Sequence, residues 1–168
     1  SFFQVNIIGM INIYNQVLKY MDNNTNVLDL YCGTGTIGIY LANKVKQVLG
    51  IEINESAIND ALLNKKINNL NNIEFKLGDV GTVLNNYNFK ADCIVVDPPR
   101  AGLDNLAIKN ILKINPQKLI YVSCDPVTLA RDLNLLSNDY SVLEITPFDM
   151  FSNTYHVECV CLLEVKNA

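Results

Sequence analysis

The sequence predicts an α/β fold, a doubly wound and mostly parallel sheet of seven strands whose last two run antiparallel to each other. Three observations predict it. From Asn26 onward, short β-branched runs alternate with helix-length segments, the pattern of right-handed crossovers. Unusual residue clusters sit just after those runs, where an open parallel sheet binds its ligands. The last two β-rich runs have no helix-length segment between them, which suits only an antiparallel connection.

The elements follow in order. Asn6 to Met21 sets Ile7, Ile11, Tyr14 and Leu18 three or four residues apart, one apolar face of a leading helix. NVLDLY from Asn26 is the first strand, TIGIYLANKV a helix, QVLGIEI the second strand, ESAINDALLNKKINNL a helix and IEFKL the third strand. ADCIVVD, a helix near Leu106 to Lys113, KLIYVS and a helix over Thr128 to Ser137 continue the alternation. YSVLEITPFDM and YHVECVCLLEV close it.

With 168 residues, 49% of them hydrophobic, the chain fills one domain that needs no staples. The five cysteines are odd in number and contain no CxxC pair, so reduced thiols are expected and neither a disulfide framework nor a metal site. Thirteen basic against 17 acidic residues give a net charge of -4, which excludes the polycation of a stand-alone nucleic-acid binder. An RNA role would need a local basic surface or a further domain. No apolar run reaches the ~18 residues of a membrane span, and Ser1 to Met10 lacks the marks of a signal peptide. A soluble, cytoplasmic monomer is expected. The start SFFQVN, without Met, suggests a domain excised from a longer polypeptide.

DLYCGTGTIG follows the first strand, and Gly33, Gly35 and Gly38 satisfy GxGxxG. That pattern alone also closes ordinary strand-to-helix turns, and it suits a dinucleotide when an acid such as Glu52 follows the second strand. Asp29 argues for a different ligand. A carboxylate just before the glycines opposes a pyrophosphate but welcomes a cation, and S-adenosyl-L-methionine carries a sulfonium and an ammonium and no phosphate. VLDLYCGTGTIG, Glu52 in GIEIN and Asp79 in KLGDV together resemble the class I S-adenosylmethionine methyltransferases. That resemblance implies Glu52 on the ribose hydroxyls and Asp79 beside the adenine. Asp79 is also read as a turn or helix-cap residue.

The fourth strand ends in Asp97-Pro98-Pro99-Arg100, an acid held by two stiff residues. It resembles the motif that faces the target base in nucleic-acid methyltransferases, although Arg100 replaces the aromatic expected of adenine-directed enzymes. Cys124, in YVSCDPVTLARDL after the fifth strand, reads alone as a buried thiol, a metal ligand or a nucleophile. C5 of a pyrimidine is too weak a nucleophile to take a methyl group unaided, and a thiolate adding at C6 activates it. Cys124 and Asp97 end neighbouring predicted strands, and the helix N-terminus after Asp125-Pro126 would favour a thiolate. The C5 proton must then be removed, and Glu158 supplies a base with His156 two residues away on the same face of a strand.

FFQVN, DLYCGTG, DPPRAGL, YVSCDPVTLARDL and PFDMFSNTYHVECVCLLEV, in that order, closely resemble the RNA 5-methyluridine (uracil-C5) methyltransferases. The resemblance implies Cys124 as nucleophile and Glu158 as base. It also implies Gln4, Tyr31, Gly33, Gly35, Glu52, Asp79 and Asp97 at the cofactor, and Gln4, Asp97, Pro98 and Arg100 around the target base. The partner it implies is tRNA or ribosomal RNA, with an N-terminal RNA-binding domain upstream. Asp125 stands where many relatives have Asn, and Tyr31 and Thr36 occupy variable positions. Pro-Arg, where cytosine-methylating relatives carry Pro-Cys, favours uridine. The rivals are an NAD-dependent oxidoreductase, an RNA cytosine-C5 methyltransferase and a cofactor-binding fragment inactive without upstream parts. Arg100 would pair with RNA phosphate or Asp104, Cys93 reads as core, Cys32 has no evident task, and Cys159 and Cys161 form at most half a metal site.

Overall fold

The computed structural model describes residues 6–150 and 153–166; Gln4 lies outside them. The elements are α1 (Ile7–Leu18), β1 (Asn26–Leu30), α2 (Thr36–Ala42), β2 (Gln47–Glu52), α3 (Glu55–Ile67), β3 (Ile73–Leu77), α4 (Val80–Asn86), β4 (Cys93–Val96), α5 (Asn105–Ile114), β5 (Lys118–Ser123), α6 (Pro126–Leu136), β6 (Tyr140–Phe148) and β7 (Glu158–Val165). The seven strands form one sheet in the order β3-β2-β1-β4-β5-β7-β6. The first five in that order pair in parallel, and β7 runs antiparallel to both β5 and β6. The expected doubly wound sheet and its antiparallel end are therefore present. The strand order reverses between β1 and β4, so a crevice opens at their carboxyl ends.

Period-two alternation splits the core into two layers. In β4, Cys93 and Val95 pack with Ile13, Val17, Leu41 and Ile58 from α1, α2 and α3. Ile94 and Val96 face the other way, toward Ile111, Leu129 and Leu136 from α5 and α6. Both faces of the sheet are thus covered, which is why its strands read as nearly continuous apolar runs. Leu28, Ile94 and Leu119 are fully enclosed, and each contributes roughly 2 kcal/mol of burial.

Asn or Asp side chains open five helices: Asn6, Asn54, Asp79, Asp104 and Asp125 accept backbone N–H groups of the first turns of α1, α3, α4, α5 and α6. Asp79 therefore takes the capping role, accepting from Thr82 N at 2.9 Å at the exposed carboxyl end of β3.

Three features differ from expectation. α1 buries Ile13, Tyr14 and Val17, whereas Ile7 and Ile11 of the expected face are exposed. The segment carries a second apolar stripe, Met10, Ile13, Tyr14 and Val17, with the same spacing, and periodicity does not choose between them. α4 falls in a stretch that the alternation leaves unassigned. It buries no side chain fully; Val80, Val83 and Leu84 pack partly buried against the α5–α6 layer, but the helix is only seven residues long and Gly81 and Thr82 are weak helix formers. Finally, β7 begins at Glu158, so His156 precedes the strand and does not share a strand face with the glutamate.

Candidate active site

The turn between β1 and α2 is built on two glycines with left-handed backbone. Gly33 (φ +53°) donates its N–H to Glu52 Oε2 at 3.1 Å, and a Cβ there would meet nothing within 4 Å. Space above Gly33 is therefore open to a ligand. Gly35 (φ +79°) is closed in, with a Cβ landing 2.4 Å from Phe75 Cζ. It caps α2 without a side chain, in contrast to the helices capped by Asn or Asp. Glu52 is half-buried at the end of β2, and its Oε1 accepts from Ile53 N and Asn54 N, both at 2.8 Å. These bonds aim the carboxylate, and the lone pairs they leave can take hydroxyl donors. Tyr31 begins the turn at φ +61° and packs toward the α5–α6 layer.

Asp29 is completely buried beneath this turn. Its Oδ2 accepts Gly38 N–H at 3.0 Å, while Oδ1 has no hydrogen-bond partner. Burial, with the Asp97 carboxylate second, pushes its carboxyl up to about 8. The sign follows from linkage. An unfolded Asp ionises near ~4, so between there and about 8 the unfolded state ionises while the folded one holds its proton. The contribution of Asp29 is fully favourable below that window and is lost as pH rises through it. Thermal melts should therefore show wild type losing about 5 °C or more relative to Asp29→Asn between pH 4 and pH 8. Parallel curves for the two proteins would place the buried proton elsewhere.

Asp97, directly after β4, and Glu158, the first residue of β7, line one cleft together with Tyr14, Thr36 and Val122. The sheet explains the meeting. Val96 pairs with Tyr121 in parallel, and Ser123 pairs with Cys159 in antiparallel register, so the start of β7 lies beside the ends of β4 and β5. Asp97 is open to the cleft yet crowded by protein on its other sides. Desolvation, then Glu158, lifts its carboxyl above the usual range, and water in the cleft limits the size of that effect. Glu158 is 7% exposed, and burial raises its pKa against the opposing pull of Arg100.

Cys124 is half-buried in the turn after β5. Ser123 Oγ braces that turn, donating to Asp125 O at 2.9 Å and accepting from Asp125 N at 3.1 Å. The expected preference for a thiolate is not found: burial, Glu158 and Asp97 all raise the thiol's pKa, and Arg100 opposes them. The reason is local. Asp125 turns its own carboxylate onto Val127 N and Thr128 N, so the helix terminus is already satisfied by an anion. The other four cysteines are buried.

Arg100 is exposed on the rim, and its Nη2 lies 2.9 Å from His156 Nδ1. Asp104 is engaged as the cap of α5, accepting Ala107 N–H at 2.7 Å. Of the pairings considered from sequence, the one with Asp104 is therefore not made, and Arg100 meets His156 instead. Tyr155 stacks on His156 with ring centroids 4.4 Å apart. Tyr14 is the site residue that sequence reasoning overlooked: its hydroxyl donates to Thr36 Oγ1 at 3.0 Å inside the cleft. Its signal was the one hydroxyl in an otherwise aliphatic stripe.

Taken together, the carboxyl ends of β1, β2 and β4 offer an acid-rich cradle with an open glycine turn. Beside it lie a thiol, two carboxylates and a guanidinium within electrostatic reach of one another. Such a set can bind a cation-bearing nucleoside and carry out covalent and proton-transfer chemistry on a planar electrophile. Among the described residues, no helix is long and apolar enough to cross a membrane.

Comparison with known proteins accords with this arrangement. A family model described as tRNA (uracil-5-)-methyltransferase matches residues 75–166, and one described as methyltransferase small domain matches residues 13–120. A curated relative from Clostridium tetani, named an uncharacterized RNA methyltransferase, is 46% identical over 97% of this chain. One of the same description from Caldanaerobacter subterraneus subsp. tengcongensis is 46% identical over 98%. The chain spans 37% of the length of each of these relatives. The crystal structure of the Pyrococcus abyssi tRNA (uracil-54, C5)-methyltransferase in complex with S-adenosyl-L-homocysteine superposes with a TM-score of 0.86 at 40% identity, covering 97% of this chain and 40% of that one. That likeness makes the sheet a class I methyltransferase sheet.

Proposed function

The chain belongs to the tRNA (uracil-5-)-methyltransferase family, and from that premise we propose that it is the catalytic domain of an enzyme that methylates C5 of a uridine in RNA. S-adenosylmethionine is the proposed methyl donor, and tRNA is the RNA class favoured by the family description and by the Pyrococcus abyssi relative. The observation that carries the reading is the meeting of Asp97, Cys124 and Glu158 at one end of the sheet, next to the acid-rich glycine turn.

The residues present fit this cofactor. Asp29 keeps a buried oxygen without a partner, Gly33 leaves open space, and the Glu52 carboxylate, bonded to Gly33 N–H, stands where a pyrophosphate would be repelled. Glu52 would hold the ribose hydroxyls, Asp79 would lie by the adenine, and Asp97 would face the transferred group. When bound, S-adenosylmethionine supplies an electrophilic methyl group and leaves as S-adenosylhomocysteine.

The chain's own residues do the rest. The target base leaves its stack to enter the cleft. Cys124 loses its proton to solvent water, the thiolate being favoured by Arg100, and Sγ bonds to C6; the C5–C6 π electrons move toward C5 and the C4 carbonyl. C5 then takes the methyl group. Glu158 removes the remaining C5 proton, the C5–C6 double bond reforms and the S–C6 bond breaks, restoring Cys124. The raised pKa of Glu158 suits a base of that strength. Gln4 and Pro98 are proposed to complete the base pocket.

Calorimetry tests the cofactor reading. S-adenosylhomocysteine is expected to bind at micromolar concentration, about -8 kcal/mol, and NAD to give no binding heat. The reverse order of affinities would return the site to a dinucleotide enzyme. Mass analysis of nucleosides from treated RNA would then separate 5-methyluridine from 5-methylcytidine.

A further inference from the structure

One buried charge lies outside this chemistry. Asp132 sits in the middle of α6 with no exposed surface. An anion so placed is costly unless it is fully bonded, and it is. Its Oδ2 accepts Leu103 N–H and the Tyr121 hydroxyl, each at 2.7 Å, and its Oδ1 accepts Arg131 Nε at 2.9 Å and Nη2 at 2.7 Å. Arg131 Nη2 continues to Ala101 O at 2.8 Å and Leu103 O at 3.2 Å. Three segments are tied by these bonds: β5, α6 and the loop after Pro99.

Each of those segments serves the candidate site. Tyr121 lies three residues before Cys124, α6 starts two residues after it, and the loop carries Arg100. Gly102, at φ +75°, brings the loop backbone directly against the pair. A Cβ there would stand 2.5 Å from Asp132 Oδ2 and 2.6 Å from Arg131 Nη2. Only one partner is withdrawn from water, Asp132 being enclosed while the Arg131 side chain is 50% exposed, so solvent screens the ion pair and its charge attraction alone does not account for the network. What an ion network with directional bonds adds is a single register for the loop.

We infer that Asp132, with Arg131 and Tyr121, is a positioning residue: it fixes the loop 99–103 so that the Arg100 guanidinium faces Cys124 and Glu158. The inference rests on the reading of Cys124 as the reactive thiol. Arg100, whose Nη2 also lies 2.9 Å from His156 Nδ1, draws Cys124 and Glu158 toward their charged forms, and for the thiol it opposes the Glu158 and Asp97 carboxylates, so displacement of the loop changes the reactivity of the thiol.

The test is the pH profile of Cys124 alkylation by iodoacetamide, read by mass spectrometry of the Cys124 peptide; the other four cysteines are buried. Loss of Arg100, in Arg100→Met, is expected to slow alkylation near pH 7.5 about threefold or more by lowering the thiolate fraction. Asp132→Asn is expected to move the profile in the same direction. The double variant should add little to either, because both act through one guanidinium. Tyr121→Phe, which keeps the packing and removes one bond, should give a smaller shift of the same sign, and it carries the test if Asp132→Asn does not fold. A lowered melting temperature with an unmoved alkylation profile in both Asp132→Asn and Tyr121→Phe would overturn the inference and leave a purely structural clamp. Additive shifts in the double variant would overturn it as well. The assay needs neither RNA nor cofactor, so a failure of methyl transfer and a failure of this inference are separately visible.

Discussion

Cys124→Ala is expected to lower methyl transfer by about four orders of magnitude or more while S-adenosylhomocysteine affinity stays within about twofold. The size follows from the chemistry, because without a nucleophile at C6 the C5 carbon has no route to a carbanion-like state. The retained affinity follows from the fold. Gly33 and Glu52 belong to the ends of β1 and β2, whereas Cys124 stands on the turn after β5, on the far side of β4. Single-turnover assays with labelled methyl donor, run with the full natural chain, read the first quantity, and calorimetry reads the second. Methylation at the wild-type rate by Cys124→Ala would sink the covalent route. Loss of cofactor binding together with turnover would instead point to a fault in folding.

Glu158→Gln should stop the reaction one step later. The amide keeps the size of the carboxylate and cannot take a proton, so C5 receives its methyl group and the S–C6 bond has no way to break. Turnover should fall about 10²- to 10⁴-fold, and a protein-RNA species should accumulate as a slow band on a denaturing gel. The setting of Glu158 supports this separation of roles. It is 7% exposed and raised by burial, which makes it a stronger base than a surface carboxylate. It opens β7, the strand whose antiparallel direction brings it to the working end of the sheet. Unimpaired turnover without any adduct would move the proton to another group, with Asp97 next in line.

The sheet was legible because its strands are buried on both faces and separated by helices with their own period. The glycine turn was legible because each of its glycines answers a distinct steric demand, open space at Gly33 and Phe75 at Gly35. The meeting of Asp97, Cys124 and Glu158 was readable only through motifs, since β7 lies more than 30 residues after β5 and its antiparallel placement brings the third group in. Other features depended on tertiary choice. The buried face of α1 is one of two similarly spaced stripes, and Tyr14 belongs to both, so periodicity alone reads it as core. α4 spans only seven residues, too few for its stripe of Val80, Val83 and Leu84 to establish a period. The thiolate expected at the start of α6 was countermanded by Asp125 on the same N–H groups and by two acids across the cleft. Asp132 had a sequence signal: three residues after Leu129 and four before Leu136, it is a charge on a buried helical face.

The most direct test of covalent catalysis by Cys124 is peptide mapping of the species trapped by Glu158→Gln after nuclease digestion. The expected result is a single modified peptide, the one containing Cys124, heavier by a 5-methylated uridine nucleotide. A trapped nucleotide on Cys32, Cys93, Cys159 or Cys161, or no nucleotide on any cysteine under conditions where wild type turns over, would contradict it.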